Sequence, residues 1–73
     1  MDFTGKRLLI LAGAGVHNKV VLAAKIMEIY TIVTDNIAYS PAKKIADESW
    51  MYSITDVDSI VERCKKEPVD GVC

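Results

Sequence analysis

The chain has little from which to build a metal centre or a covalent scaffold. It holds one histidine and two cysteines. Cys64 and Cys73 form no CxxC pair and have no companion histidines, so neither a zinc site nor a disulfide framework is supported. Charge of one sign is also missing. Nine basic residues face ten acidic ones, for a net charge of -1, which leaves no electrostatic footprint for nucleic acid or for an anionic membrane. The longest apolar runs, Leu8 to Ala12 among them, fall far short of the roughly 20 residues a bilayer-spanning helix needs. No secretory signal is visible, because Gly5-Lys6-Arg7 leads into a strand-like run without a cleavage site; the expected location is cytoplasmic. Internal repeats, low-complexity stretches and domain linkers are absent as well, so one small domain is expected.

What is present is the composition of a folding chain. Hydrophobic residues make up 51% and charged residues 26%, enough apolar surface to offset the entropy of ordering. A domain of this size buries only about 60% of the surface its unfolded chain exposes. Its stability is therefore marginal unless something else covers its apolar faces.

The pattern along the chain alternates between two periods. Arg7 to Ala12 reads RLLILA between Gly5 and Gly13, as expected for a strand buried on both faces of a parallel sheet. From about His17 to Glu28 the period turns helical. Val16, Val20, Ala23, Ala24 and Met27 form the expected sheet-facing stripe, with Asn18, Lys25 and Glu28 opposite and Leu22 and Ile26 on the polar flank. Tyr30 to Thr34, YTIVT, is a second strand by its β-branched and aromatic content. Ser40-Pro41 opens a short helix running to about Ala46, with serine as cap and proline in the first turn. Trp50 to Ile54 is the expected third strand, and Asp47-Glu48 before it reads as solvated surface. Thr55-Asp56 starts a third helix whose apolar stripe is Val57, Ile60, Val61 and Cys64, and Pro68 stops it. Val69 to Cys73 begins a fourth apolar segment.

The order β-α-β-α-β-α-β implies a Rossmann-like, three-layer α/β/α fold with a small, mostly parallel sheet of about four strands and right-handed crossovers. Because such a domain normally continues beyond a fourth strand, residues 1–73 are expected to be part of a longer enzyme. Open strand edges and apolar patches would favour self-association, making a homo-oligomer a possible state.

Ligands of parallel sheets bind beyond the carboxyl ends of the strands. Three segments are expected there: Gly13 to His17, Thr34-Asp35-Asn36, and Ile54-Thr55-Asp56. Gly13 permits a tight turn, and Gly15 lets a ligand approach the backbone. The helix beginning near His17 directs free N–H groups at the same spot, which favours a phosphate or a carboxylate. Asp35 follows Gly15 by twenty residues, about where a dinucleotide-binding domain keeps its ribose-binding acid. However, the third glycine of G-x-G-x-x-G is replaced by Asn18. Each residue also has a plain reading: the glycines as a strand–helix turn, Asp35 as a turn former, His17 as a helix-start residue in solvent. No catalytic constellation accompanies them.

The stretch KRLLILAGAGVH, then AAKIMEIYTIVTD, SPAKKIADESW, TDVDSIVE and VDGV, resembles the N-terminal pre-ATP-grasp domain of ATP-grasp ligases of the carbamoyl-phosphate synthase large-chain type. Its most specific part is D-x(4)-S-P-A-x(3)-A-D from Asp35 to Asp47. The resemblance implies a parent enzyme that uses ATP and Mg2+ to activate a carboxylate as an acyl phosphate for attack by an amine or thiol. It places ATP and metal on later domains, so no cofactor is expected in this chain, whose partners would be a small-molecule substrate and those remaining domains. Carried over residue by residue, it implies that Gly13, Ala14, Gly15, Val16 and His17, with Asp35 nearby, contact the acceptor substrate, and that the chain alone is inactive. His17-Asn18 departs from several relatives. The alternatives are a nicotinamide or flavin dinucleotide-binding module, which the missing third glycine disfavours, and a structural module without ligand.

Overall fold

In the computed structural model, residues 3–11, 17–37 and 39–73 are described. Four strands and three helices follow one another as β1 (Arg7–Leu11), α1 (Asn18–Ile26), β2 (Tyr30–Thr34), α2 (Pro41–Ile45), β3 (Glu48–Trp50), α3 (Val57–Lys66) and β4 (Gly71–Val72). The sheet order is β3-β2-β1-β4, and every pairing is parallel. β1 and β2 are in register from Arg7–Tyr30 to Leu11–Thr34.

The alternation of side chains along β1 and β2 divides the core in two. Leu9 and Ile32 point to one face and pack with Trp50 and with Ile60 of α3. Ile10 and Val33 point to the other and pack with Val21 of α1 and Ala42 of α2. Helices thus lie on both faces of a doubly buried sheet, which is why RLLIL and YTIVT read as continuous apolar runs.

The helix ends follow from local chemistry. Asp56 caps α3 by accepting the Ser59 N–H at 3.3 Å, and basic residues crowd the last turn. Pro41 sits in the first turn of α2. α1 ends in a Schellman arrangement: Ile29 N–H bonds to the Ala24 carbonyl and Glu28 N–H to the Lys25 carbonyl. The left-handed position is taken by Glu28, at φ 59°.

Three expectations about the elements are corrected. The third strand is Glu48–Trp50, not Trp50–Ile54. Its ladder starts early because the Asp47 carboxylate takes the Thr31 N–H. Beyond Trp50 the chain leaves the ladder, and the Tyr52 carbonyl accepts the Thr34 hydroxyl at 2.9 Å. The buried stripe of α1 is Val21 and Ala24, with Val20 partly buried, while Ala23 and Met27 are exposed. α1 packs against α2 as well as the sheet, so its inward face is turned toward Ala42. On α3 only Ile60 is buried and Cys64 is half-buried, while Val57 and Val61 stay 61% and 45% exposed.

Candidate functional site

Three parallel strands deliver their carboxyl ends to one edge, at Leu11, Thr34 and Trp50. The glycine loop that follows β1 was expected to be the centre of the site. Gly13, Ala14, Gly15 and Val16 lie outside the described residues. His17, the last residue of that loop, is the N-cap of α1, in helical backbone (φ -81°, ψ -8°), and its side chain makes no capping bond. Its Nδ1 is buried and finds no hydrogen-bond partner among the described residues, and the same holds for Asn18 Oδ1. Both residues stand at the start of α1, each with one polar atom out of solvent while the residue as a whole is half-buried.

Asp35 leaves β2 at the same edge, half-buried. One carboxylate oxygen accepts the Ile37 N–H at 3.1 Å, closing an Asx turn. Its N–H donates to the Trp50 carbonyl at 3.1 Å, and its carbonyl accepts the Lys43 ammonium at 2.7 Å. Asp35 thus ties the exits of β2 and β3 to α2. Ser40 reinforces this segment by donating its hydroxyl to the Ile37 carbonyl at 3.0 Å. The D-x(4)-S-P-A motif is a braced β2–α2 connection that leaves Ile37 and Tyr39 59% and 85% exposed along the edge.

The third expected segment, Ile54-Thr55-Asp56, does not belong to a strand end. It forms the turn into α3, where Asp56 acts as helix cap. Met51 to Ser53 follow β3 at the edge in its place.

Pattern reading missed the polar cluster at the opposite, amino end of the sheet. Asp47 accepts both the N–H and the hydroxyl of the buried Thr31, at 2.8 and 3.0 Å, and pairs with Lys25 at 3.4 Å. The backbone N–H of Thr31, foremost, holds the Asp47 carboxyl below its ordinary value. Glu48 accepts from the Trp50 indole at 2.5 Å and the Tyr30 hydroxyl at 3.0 Å, and pairs with Arg63 at 3.6 Å. The indole bond, first, lowers the Glu48 pKa, and the bond to Glu48 raises that of Tyr30. Arg63 also lies over the Trp50 ring, 4.9 Å from its centroid. This Asp-Glu pair is a fold-holding network rather than solvated surface. The only hint in the sequence is its position directly before a strand that carries a tryptophan.

The described residues contain no group of three His, Cys, Asp or Glu side chains able to hold a metal ion. Among them, no helix is long and apolar enough to cross a membrane.

A parallel sheet wrapped on both faces, with a motif-bearing β2–α2 connection at its carboxyl edge, is a Rossmann-like α/β domain of the kind that the Asp35-to-Asp47 resemblance implies. The comparisons narrow that class. Residues 8–73 match the model of the PylC-like, N-terminal domain, and the chain belongs to that family. Among solved structures, N5-carboxyaminoimidazole ribonucleotide synthetase from Thermotoga maritima is 31% identical (TM-score 0.80), over 92% of this chain and 18% of that one. The ADP complex of purK, also an N5-carboxyaminoimidazole ribonucleotide synthetase, is 30% identical (TM-score 0.84), over 97% of this chain and 18% of that one. Glycinamide-RNase-transformylase T from Mycobacterium tuberculosis, at 22% identity and TM-score 0.85 over 92% of this chain and 19% of its own, shares the fold. The chain thus spans less than a fifth of the length of these structures. No curated protein matches the sequence significantly.

Proposed function

We propose that the chain is the substrate-side domain of an ATP-dependent carboxylate–amine ligase and is inactive without the rest of that enzyme. The observation that carries this reading is the family match over residues 8–73. In support, relatives of the same fold are more than five times as long. The parent is a PylC-like or a carbamoyl-phosphate synthase-like ligase, and the family match favours the first. Its remaining domains are the main partners, and its setting is the cytoplasm.

In this reading Gly13, Ala14, Gly15 and Val16 form the loop against which the acceptor substrate lies, with His17 at its end and Asp35 across the edge. The buried Nδ1 of His17 and the buried Oδ1 of Asn18 are each suited to a hydrogen bond from a ligand, because a buried polar atom without a partner costs free energy that a ligand can recover. Asp35 holds the β2–α2 connection in place through its Asx turn and shapes the edge. The resemblance to ATP-grasp ligases assigns ATP and Mg2+ to the domains outside this chain.

The test is a steady-state assay of the whole enzyme, following ATP-dependent phosphate release with carboxylate and amine substrates. His17→Ala is expected to raise the acceptor KM roughly tenfold, the value of one hydrogen bond to a ligand, and to leave the ATP KM unchanged. A shift in the ATP KM alone would place the loop at the nucleotide instead. Tight NAD(H) binding measured by calorimetry would overturn the ligase reading in favour of a dinucleotide-binding module.

A further inference from the structure

Lys43 is set apart from the other lysines of the chain. All the others are exposed, whereas Lys43 is half-buried. It stands in α2, and side chains on a helix lean toward its N-terminus, so the stem runs back to the carboxyl edge of the sheet. There the ammonium donates to the Asp35 carbonyl at 2.7 Å and lies 3.1 Å from the Met51 sulfur. It is thus held between the exits of β2 and β3.

Both of these partners are neutral. An ammonium has three N–H donors, so one is left over together with the whole positive charge. The ion pairs of the described residues belong to Lys25, Arg63 and Lys65, and none includes Lys43. At the edge, the Asp35 carboxylate accepts the Ile37 N–H. The Asp47 carboxylate is bonded to Thr31 and Lys25 at the opposite end of the sheet. Bracing α2 against β2 needs a donor, which an uncharged side chain supplies as well. Drawing a charge partly out of water without a counter-charge costs free energy. The charge is therefore the part of Lys43 that the fold does not use. An ammonium already fixed in place, with a donor to spare, is prepared for an anionic oxygen, because the entropy of ordering it is lost before the ligand arrives. Thr34 at the exit of β2 pairs with Leu11 at the exit of β1. The ammonium therefore stands one to two strand spacings from the end of β1, roughly 5–10 Å across the sheet, which one small molecule spans.

We propose that Lys43 is an anion contact at the carboxyl edge, and that the amine acceptor carries a carboxylate or phosphate group which its ammonium binds. The assignment of that anion to the acceptor rests on the ligase reading above; the anion contact itself does not.

Two measurements on the whole enzyme test this. In the first, ATP-dependent phosphate release is followed with paired acceptors that differ in an anionic group: amino acids against their amides, and phosphoethanolamine against ethanolamine. Lys43→Met keeps the stem and removes the charge. It is expected to raise KM for the charged member about tenfold more than for the neutral one, and the pair that responds tells carboxylate from phosphate. Lys43→Arg is expected to keep most of the preference. A general weakening of the edge moves both members alike; that result, or no change in either, overturns the proposal. In the second, lysine acetylation by sulfosuccinimidyl acetate is followed by peptide mass spectrometry, with inorganic phosphate or acetate present against chloride at equal ionic strength. Acetylation of Lys43 is expected to slow about threefold when the anion stands at twice its dissociation constant, with Lys44 unaffected. No slowing at any anion concentration overturns the contact. Protection of Lys43 without phosphate release from any acceptor sinks the ligase reading and leaves the anion contact standing. Release that is blind to acceptor charge, with Lys43 unprotected, sinks the anion contact and leaves the ligase reading standing.

Discussion

Single side chains hold the exits and entries of β2, and they do so through threonine. Thr31 and Thr34 are both fully buried. A hydroxyl in that setting is costly unless it is bonded. Thr31 is satisfied by Asp47 and Thr34 by the Tyr52 carbonyl. Asp47 carries the larger share, because it takes the Thr31 N–H as well and returns its own N–H to the Thr31 hydroxyl at 3.1 Å. Asp47→Ala leaves a buried donor pair without its acceptor. The expected loss is about 1–3 kcal/mol, read as a lower urea midpoint at unchanged slope. Thr34 and Asp35 together show how a residue expected to meet a ligand also has a structural duty at the edge.

At the scale of elements, α1 is the one most open to improvement. Its Schellman end requires a left-handed residue, and Glu28 occupies the position at φ 59°. The left-handed region costs a residue with a side chain about 1–2 kcal/mol, and glycine does not meet this penalty. Glu28→Gly gives up a long 3.3 Å contact from the Thr4 hydroxyl. It is nevertheless expected to stabilise the domain by about 0.5–1 kcal/mol once the entropy of glycine is set against the relief. Thermal unfolding would show a higher midpoint, and a drop would mean that the Thr4 contact matters more than the backbone. Side chains flank β3 at both ends. Asp47 supplies the acceptor before its first residue, and Thr34 captures a carbonyl after its last.

For the whole molecule, the amino-end cluster sets how stability varies with pH. Asp47 and Glu48 both have folded pKa values below their ordinary ones. A carboxyl depressed in this way contributes stability that is present above its unfolded pKa and lost as pH falls through the folded value. The domain should therefore weaken progressively from about pH 5 downward. Tyr30 lies on the other side, raised chiefly by its bond to Glu48. Its contribution is present below the unfolded pKa of about 10 and fades as pH rises through the folded value. Urea midpoints measured across pH should form a dome. Asp47→Asn should flatten the acid limb, and Tyr30→Phe the alkaline one. An acid limb unchanged by Asp47→Asn would mean that other carboxylates govern it.

Short apolar and β-branched runs alternating with segments of helical period were enough to specify the element order and the boundaries of β2, since both are local properties of the side chains. The resemblance carried by Asp35 to Asp47 points to the ligase superfamily from sequence alone. Other features needed the assembled fold. The inward turn of α1 depends on α2 as well as the sheet, and no periodicity encodes a second neighbour. The work of Asp47 and Glu48 depends on Thr31, Tyr30 and Arg63, which are distant in sequence and adjacent only once β2, β3 and α3 have packed. The exposure of Val57 and Val61 is of the same kind. They read correctly as an apolar stripe, but only the strand order β3-β2-β1-β4 reveals that the sheet does not cover them. Local spacing determines which residues want burial, and tertiary geometry decides what each of them meets.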